Sequence, residues 1–136
     1  MRKKSRKGLI RECDGLWGKI IHARSGHKDE LGGSAEGLQA HHWWKTKGAG
    51  GYALRWNLLN GVCVNAVNHN KADRSPGQFM LELIRAWGKE VVDEKEIKLL
   101  EARHSLKNCK WTDYDIHSVL IGLQAIYEKE MGAENG

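Results

Sequence analysis

The chain reads as a small α+β domain, a compact strand-loop-strand-helix unit set between a leading helix and a helical C-terminal half. Three features point there. The first is the aromatic run Leu38-Gln-Ala-His-His-Trp-Trp44 between glycine-rich stretches; the second is the apolar segment Trp56 to Val64; the third is a series of capped, helix-period apolar stripes from Ser75 onward. With 136 residues, 40% hydrophobic and 29% charged, the length supports one core-forming domain, and no apolar run approaches the ~20 residues of a membrane span.

In chain order, residues 1–12 form an expected basic flexible arm, because Arg2, Lys3, Lys4, Arg6 and Lys7 have no apolar neighbours to offset their ordering entropy. No apolar stretch follows these charges, so a secretory signal is not expected and the cytoplasm, a host cell's if the gene is phage-borne, is the expected compartment. A single domain over 13–136 follows. Leu16, Trp17, Ile20 and Ile21 predict an amphipathic helix ending at Ser25-Gly26. Residues 26–37, with four glycines, read as loop. The unit 38–74 then comprises a strand ending near Trp44, a flexible loop Lys45 to Gly51, a second strand in Trp56–Val64 with a turn signal at Asn60-Gly61, and helical turns from Ala66 to Asp73. The helical extension 75–131 opens with Ser75-Pro76 as cap and first helical residue, and Phe79, Leu83, Ile84 and Trp87 share one face. Asp93 with Glu96 opens a further helix through Leu100 and His104, and Thr112 with Asp115 forms a capping box before Ile116, Val119, Leu120 and Leu123.

The net charge of +5 is uneven: residues 1–68 carry 12 Lys/Arg against 5 Asp/Glu, or +7, and residues 69–136 carry 10 against 12, or −2. Such a basic half fits a polyanionic partner better than a small metabolite. Three scattered cysteines, Cys13, Cys63 and Cys109, with no Cys-x-x-Cys, offer neither a disulfide framework nor a standard zinc site.

The residues that carry chemistry are His41-His42, Asn57 and the block His69-Asn-Lys-Ala-Asp73. Alternate side chains of a strand point to opposite faces, so the paired histidines diverge, one free for a metal and the other for substrate. His69 and Asp73, four apart, share a helix face. Imidazole and carboxylate ligands with open positions suit a divalent metal, and a neutral histidine suits the base that activates water for phosphodiester hydrolysis. Plainer roles fit the same residues. The histidine pair also suits a strand end bonded to backbone, Asn57 a turn cap, and Asp73 a helix end before Ser75-Pro76. His22, His27, His104 and His117 receive no role, and Trp17 and Trp87 read as core.

In these residues, over about 10 to 130, the chain resembles the HNH (ββα-metal) endonucleases, in particular the phage recombination nucleases of the NinG type: Leu16-Trp17, Leu38-Gln39-Ala40-His41-His42, Asn57-Leu58, His69-Asn70-Lys71, and the Phe79…Trp87 spacing. The resemblance implies a metal-dependent DNA endonuclease of phage DNA processing or recombination. It makes His42 the general base, Asn57 the residue fixing the loop over it, and His41, His69 and Asp73 ligands of Mg²⁺ or Mn²⁺, or of Ni²⁺ or Zn²⁺. DNA is the expected partner, without a membrane; a homodimer or phage replication or packaging proteins are further partners under this reading. Lys45, Lys47 and Arg55 are the expected phosphate contacts, joined by Arg2, Lys3, Lys4, Arg6 and Lys7. Many relatives carry a structural zinc in four cysteines; the corresponding positions here are Asp29 with Gly32 and Asn65 with Asn68, so no structural zinc is expected. Packing of Trp43, Trp44 and Trp56 together with the helical tail is the expected substitute. The rival from another class is a catalytically inactive DNA-binding or assembly protein on a degenerate scaffold of the same kind.

Overall fold

The computed structural model describes residues 4–44 and 51–135. Helix α1, Arg6–Arg24, begins at the Ser5 cap, whose side chain accepts from the Gly8 N–H at 3.0 Å. The flexible arm expected over residues 1–12 is therefore corrected from Arg6 onward. Leu9 and Cys13 continue the buried stripe of Trp17, Ile20 and Ile21 towards the N-terminus, and burial of that face holds the basic residues in a helix. Arg2 and Lys3 lie outside the described residues.

Strand β1, Gln39–His42, pairs antiparallel with β2, Gly61–Val64, in the register His41 opposite Val62 and His42 opposite Gly61. The apolar segment 56–64 is thus not one strand. Helix α2, Tyr52–Arg55, and a 3₁₀ turn, Leu58–Asn60, come first, because Asn57 caps the turn by accepting from the Leu59 N–H at 2.9 Å. Asn60, expected in a hairpin turn, is instead fully buried: its side chain accepts from the Trp44 N–H at 2.8 Å and donates to the Leu54 carbonyl at 3.3 Å.

The two-residue period of the strands separates two cores. On one side Trp56 and Cys63 pack against α1 and against α6, Asp113–Asn135. A Cβ at Gly61 would collide with Ile21 and Trp17, so only glycine lets α1 approach the sheet there. On the other side Trp43, Val62 and Val64 pack with residues of α4, Pro76–Trp87, and α5, Lys89–Leu106. Trp43 and Trp56 therefore fill opposite cores; Trp44 is half-buried beneath the Arg103 guanidinium, 5.5 Å from its ring. Helix α5 starts at Lys89, before the expected Asp93, because Gly88 at φ 91 breaks the chain directly after Trp87. The α6 capping box forms, with Thr112 Oγ1 donating to Asp115 Oδ2 at 2.7 Å. Arg6 pairs with Asp113 and Arg24 with Glu130, which aligns α1 and α6 in the same direction. All three cysteines are free, and burial with neighbouring acids pushes the Cys13 thiol up to about 11. No described helix is long and apolar enough to cross a membrane.

The positions read from the sequence as counterparts of a structural zinc site, Asp29, Gly32, Asn65 and Asn68, lie in a hydrogen-bonded cluster. The buried Asp29 carboxylate accepts from the Leu31 N–H at 2.6 Å, the Asn65 N–H at 2.9 Å and the Asn68 side-chain amide at 2.8 Å. Asn65 caps α3, Ala66–Arg74, by accepting from the Asn68 N–H at 2.8 Å, and donates to the Ser34 carbonyl at 3.1 Å. Gly33 lies against this knot so closely that a Cβ would strike the Asn65 amide. Beside it, the Glu30 N–H donates to the Cys63 carbonyl and the Cys63 N–H to Glu30 Oε2, so the loop runs along β2. Trp43 and Trp56 are buried against the C-terminal helices as expected, and a carboxylate-amide knot occupies the four positions themselves. Asp29→Ala leaves three donors without their acceptor and is expected to cost about 3 kcal/mol in urea denaturation. The wild-type melt is expected to stay unchanged in EDTA, and a chelator-induced collapse would contradict the knot's sufficiency.

Candidate active site

His41 and His42 diverge across the sheet. His41 faces α3 and α4: its ring meets His69 edge-on at 4.7 Å between centroids and Phe79 at 5.8 Å. Helix α3 brings His69 there from a start fixed by the Asn65 cap, and the His69 N–H bonds the Asn65 carbonyl at 2.9 Å. Asp73 stands one turn on, its Oδ2 4.0 Å from His69 Nδ1, with a side chain 65% exposed. Burial holds the His41 imidazole below its ordinary pKa, and the neighbouring His69 adds to this while Asp73 opposes it.

His42 lies on the opposite, α1 side. Its ring stacks on Trp17 at 4.1 Å and 11°, and Nε2 is 2.7 Å from the Arg55 carbonyl. A carbonyl only accepts, so this bond puts the proton on Nε2 and leaves Nδ1 with its lone pair. Burial, as the largest influence, lowers the His42 pKa; the Arg55 carbonyl and Asp14 work against it. Asn57 acts on this ring through the chain around it: its side chain caps the 58–60 turn, and its carbonyl accepts from the Trp17 indole at 3.0 Å.

Arg55, expected to contact phosphate, is bonded to α1 in this structure. Its Nε and Nη2 donate to the two oxygens of Asp14 at 2.9 and 2.8 Å, and the Trp56 indole donates to the same carboxylate at 2.8 Å. That pairing needs the side chain turned towards α1, because Arg55 ends α2 with its carbonyl on His42. Of the other expected phosphate contacts, Lys4 pairs with Glu12 at 2.7 Å, Arg6 with Asp113 at 3.1 Å, and Lys7 is exposed on α1. Arg2, Lys3, Lys45 and Lys47 lie outside the described residues.

Among the described residues no three His, Cys, Asp or Glu side chains converge closely enough to hold a metal ion. The expected ligand set is brought together only in part: His41 and His69 meet, while Asp73 reaches outward. Two neighbouring imidazoles with an exposed carboxylate beside them remain a donor set that suits a borderline divalent cation. Sequence reasoning missed Asp14 and Trp17. Their spacing of three residues, which puts an acid and a tryptophan on one helix face, is the signal that was available.

Lowered histidine pKa values fix the sign of the pH response. The unfolded chain takes up protons on His41 and His42 as pH falls through about 6.5, while the folded chain resists until lower pH. The stability these rings contribute is full above that value and is lost as pH falls through their folded values. The melting temperature is expected to drop between about pH 7.5 and 5.5, less steeply in a His41→Gln, His42→Gln double variant; a melting temperature that rises on acidification would contradict it. His22, also lowered by burial and by His27, contributes the residual slope.

No family model, curated protein or solved structure matches the chain, so the reading of this site stands on its own residues.

Proposed function

We propose that the chain is a metal-dependent endonuclease that hydrolyses phosphodiester bonds in DNA, in phage DNA processing or recombination. The observation that carries this reading is the His42 ring, held by the Arg55 carbonyl with Nδ1 unprotonated and its pKa lowered by burial. Those are the properties a general base for water needs near neutral pH. His41 and His69, with the exposed Asp73 carboxylate beside them, are the residues that would hold a divalent cation, which when bound supplies charge stabilisation at the phosphate and the departing oxygen. His41 and His42 are consecutive at the end of β1 and face opposite sides, so in this reading a phosphodiester would bind across that end, between the base and the His41–His69 pair. Water loses its proton to His42 Nδ1 as it attacks phosphorus, the P–O3′ bond breaks, and the departing 3′ oxygen takes a proton from solvent, giving 5′-phosphate and 3′-hydroxyl ends.

A second reading has its own support: Asp73 turned outward and Arg55 bonded to Asp14 fit a DNA-binding or assembly protein without turnover. Conversion of supercoiled plasmid to open circle in Mg²⁺, Mn²⁺, Ni²⁺ or EDTA separates the two. Metal-dependent nicking is expected, falling by about 10²–10⁴ in His42→Ala; DNA binding with no cleavage in any metal would favour the second reading. Phosphate contact by the loop after the histidines has a separate signature. Lys45→Ala with Lys47→Ala is expected to weaken DNA binding and to reduce the slope of log affinity against log salt by about 2. An unchanged slope in fluorescence anisotropy would place the contacts elsewhere.

A further inference from the structure

We propose that Asp14 is the positioning residue of His42: by clamping Arg55 and Trp56 from α1, it fixes the backbone carbonyl to which the His42 ring is bonded. The proposal rests on reading His42 as the general base.

The carbonyl in question belongs to a segment with little means of holding itself. Helix α2 is four residues long, has no side-chain cap at Gly51, and passes at Trp56 into the 3₁₀ turn. A single helical turn is not stable on its own, so bonds from outside must locate Arg55. Asp14 supplies three of them, two from the Arg55 guanidinium and one from the Trp56 indole, all within 2.9 Å. The Asp14 side chain is 42% exposed, so it is not there to fill a core. Every hydrogen bond found for its carboxylate among the described residues goes to positions 55 and 56.

Trp17, almost one helical turn further along α1, completes the grip. Its indole N–H holds the Asn57 carbonyl, and its ring face supports the His42 imidazole. Two residues on one face of α1 thus fix the segment 55–57 and, through it, both the tilt and the tautomer of His42. Without the Asp14 clamp the Arg55 carbonyl is free to move, the ring loses its fixed Nε2–H acceptor, and Nδ1 no longer points one way. The damage falls on the oriented base and not on substrate binding, because Asp14 acts through Arg55 and Trp56, the residues that locate the carbonyl bonded to the ring.

The test uses the full chain with ¹⁵N-labelled histidine, comparing wild type with Asp14→Asn and Arg55→Lys. Long-range ¹H–¹⁵N spectra above pH 7.5 report the His42 tautomer, and plasmid nicking in Mn²⁺ reports kcat and KM. Wild type is expected to show a single Nε2–H tautomer, and both variants a mixture, with kcat lowered about 10- to 100-fold at unchanged KM. The exchanged pair Asp14→Arg with Arg55→Asp, which restores the ion pair but not the acceptor for the Trp56 indole, is expected to recover the Nε2–H signature in part. A pure Nε2–H tautomer in both folded variants, or a loss confined to KM, would overturn the proposal, and so would unfolding of both variants, which would make the clamp purely structural. If Asp14→Asn alone fails to fold, Arg55→Lys, which keeps the charge and loses the fork, carries the comparison. If wild type cleaves in no metal, the base reading fails, while the tautomer spectra still decide whether Asp14 positions the ring.

Discussion

Where β2 passes into α3, the Asp29 carboxylate accepts three hydrogen bonds and ties the loop after α1 to the first turn of the helix that carries His69. A buried carboxylate is costly unless its lone pairs are satisfied. Here two backbone N–H groups and an amide satisfy it, and it lies at the N-terminus of α3, where the helix dipole favours negative charge. Once this knot is formed, the direction of α3 is set and His69 is delivered against His41. Loosening it would swing α3 away from the sheet, and the imidazole pair with it.

The sheet imposes the second constraint. Two strands of four residues with strict alternation cannot place adjacent side chains together, so His41 belongs to the core of α4 and α5 and His42 to the core of α1 and α6. The candidate site therefore sits on the boundary between two hydrophobic clusters and depends on both. Packing defects under α1 act on His42, and defects under α4 act on the imidazole pair, so the two halves of the candidate site are separable by mutation.

Local pattern carried much of this. The β1 histidines, α3, the proline start of α4 and the α6 capping box are each legible within a dozen residues, because each is an alternation, a stripe or a cap. The early start of α1 was hidden by lysines and arginines whose exposed charges mask the buried Leu9 and Cys13. The α2 and 3₁₀ turns were hidden by an apolar run that a strand would also produce. What could not be read were bonds across the chain: Asp14 meets Arg55 across 41 positions and Asp29 meets Asn65 across 36. The bonds of the basic residue beside the glycine loop and of the loop aspartate each depend on a distant partner that no local pattern announces.

Those partners also change what the basic half of the chain can offer a polyanion. Lys4, Arg6 and Arg24 are each paired with one carboxylate on the surface, where an ion pair contributes roughly 0–1 kcal/mol. A DNA phosphate competes with such partners on even terms, gaining counterion release besides, so these three cations remain available to a duplex at little cost. Arg55 differs in kind. Its fork is bidentate, its partner also anchors Trp56, and its carbonyl holds His42, so turning it towards a phosphate would disturb several bonds for one. Basicity in sequence counts these residues alike; hydrogen bonding separates three cations that an approaching strand can take from one that the fold retains.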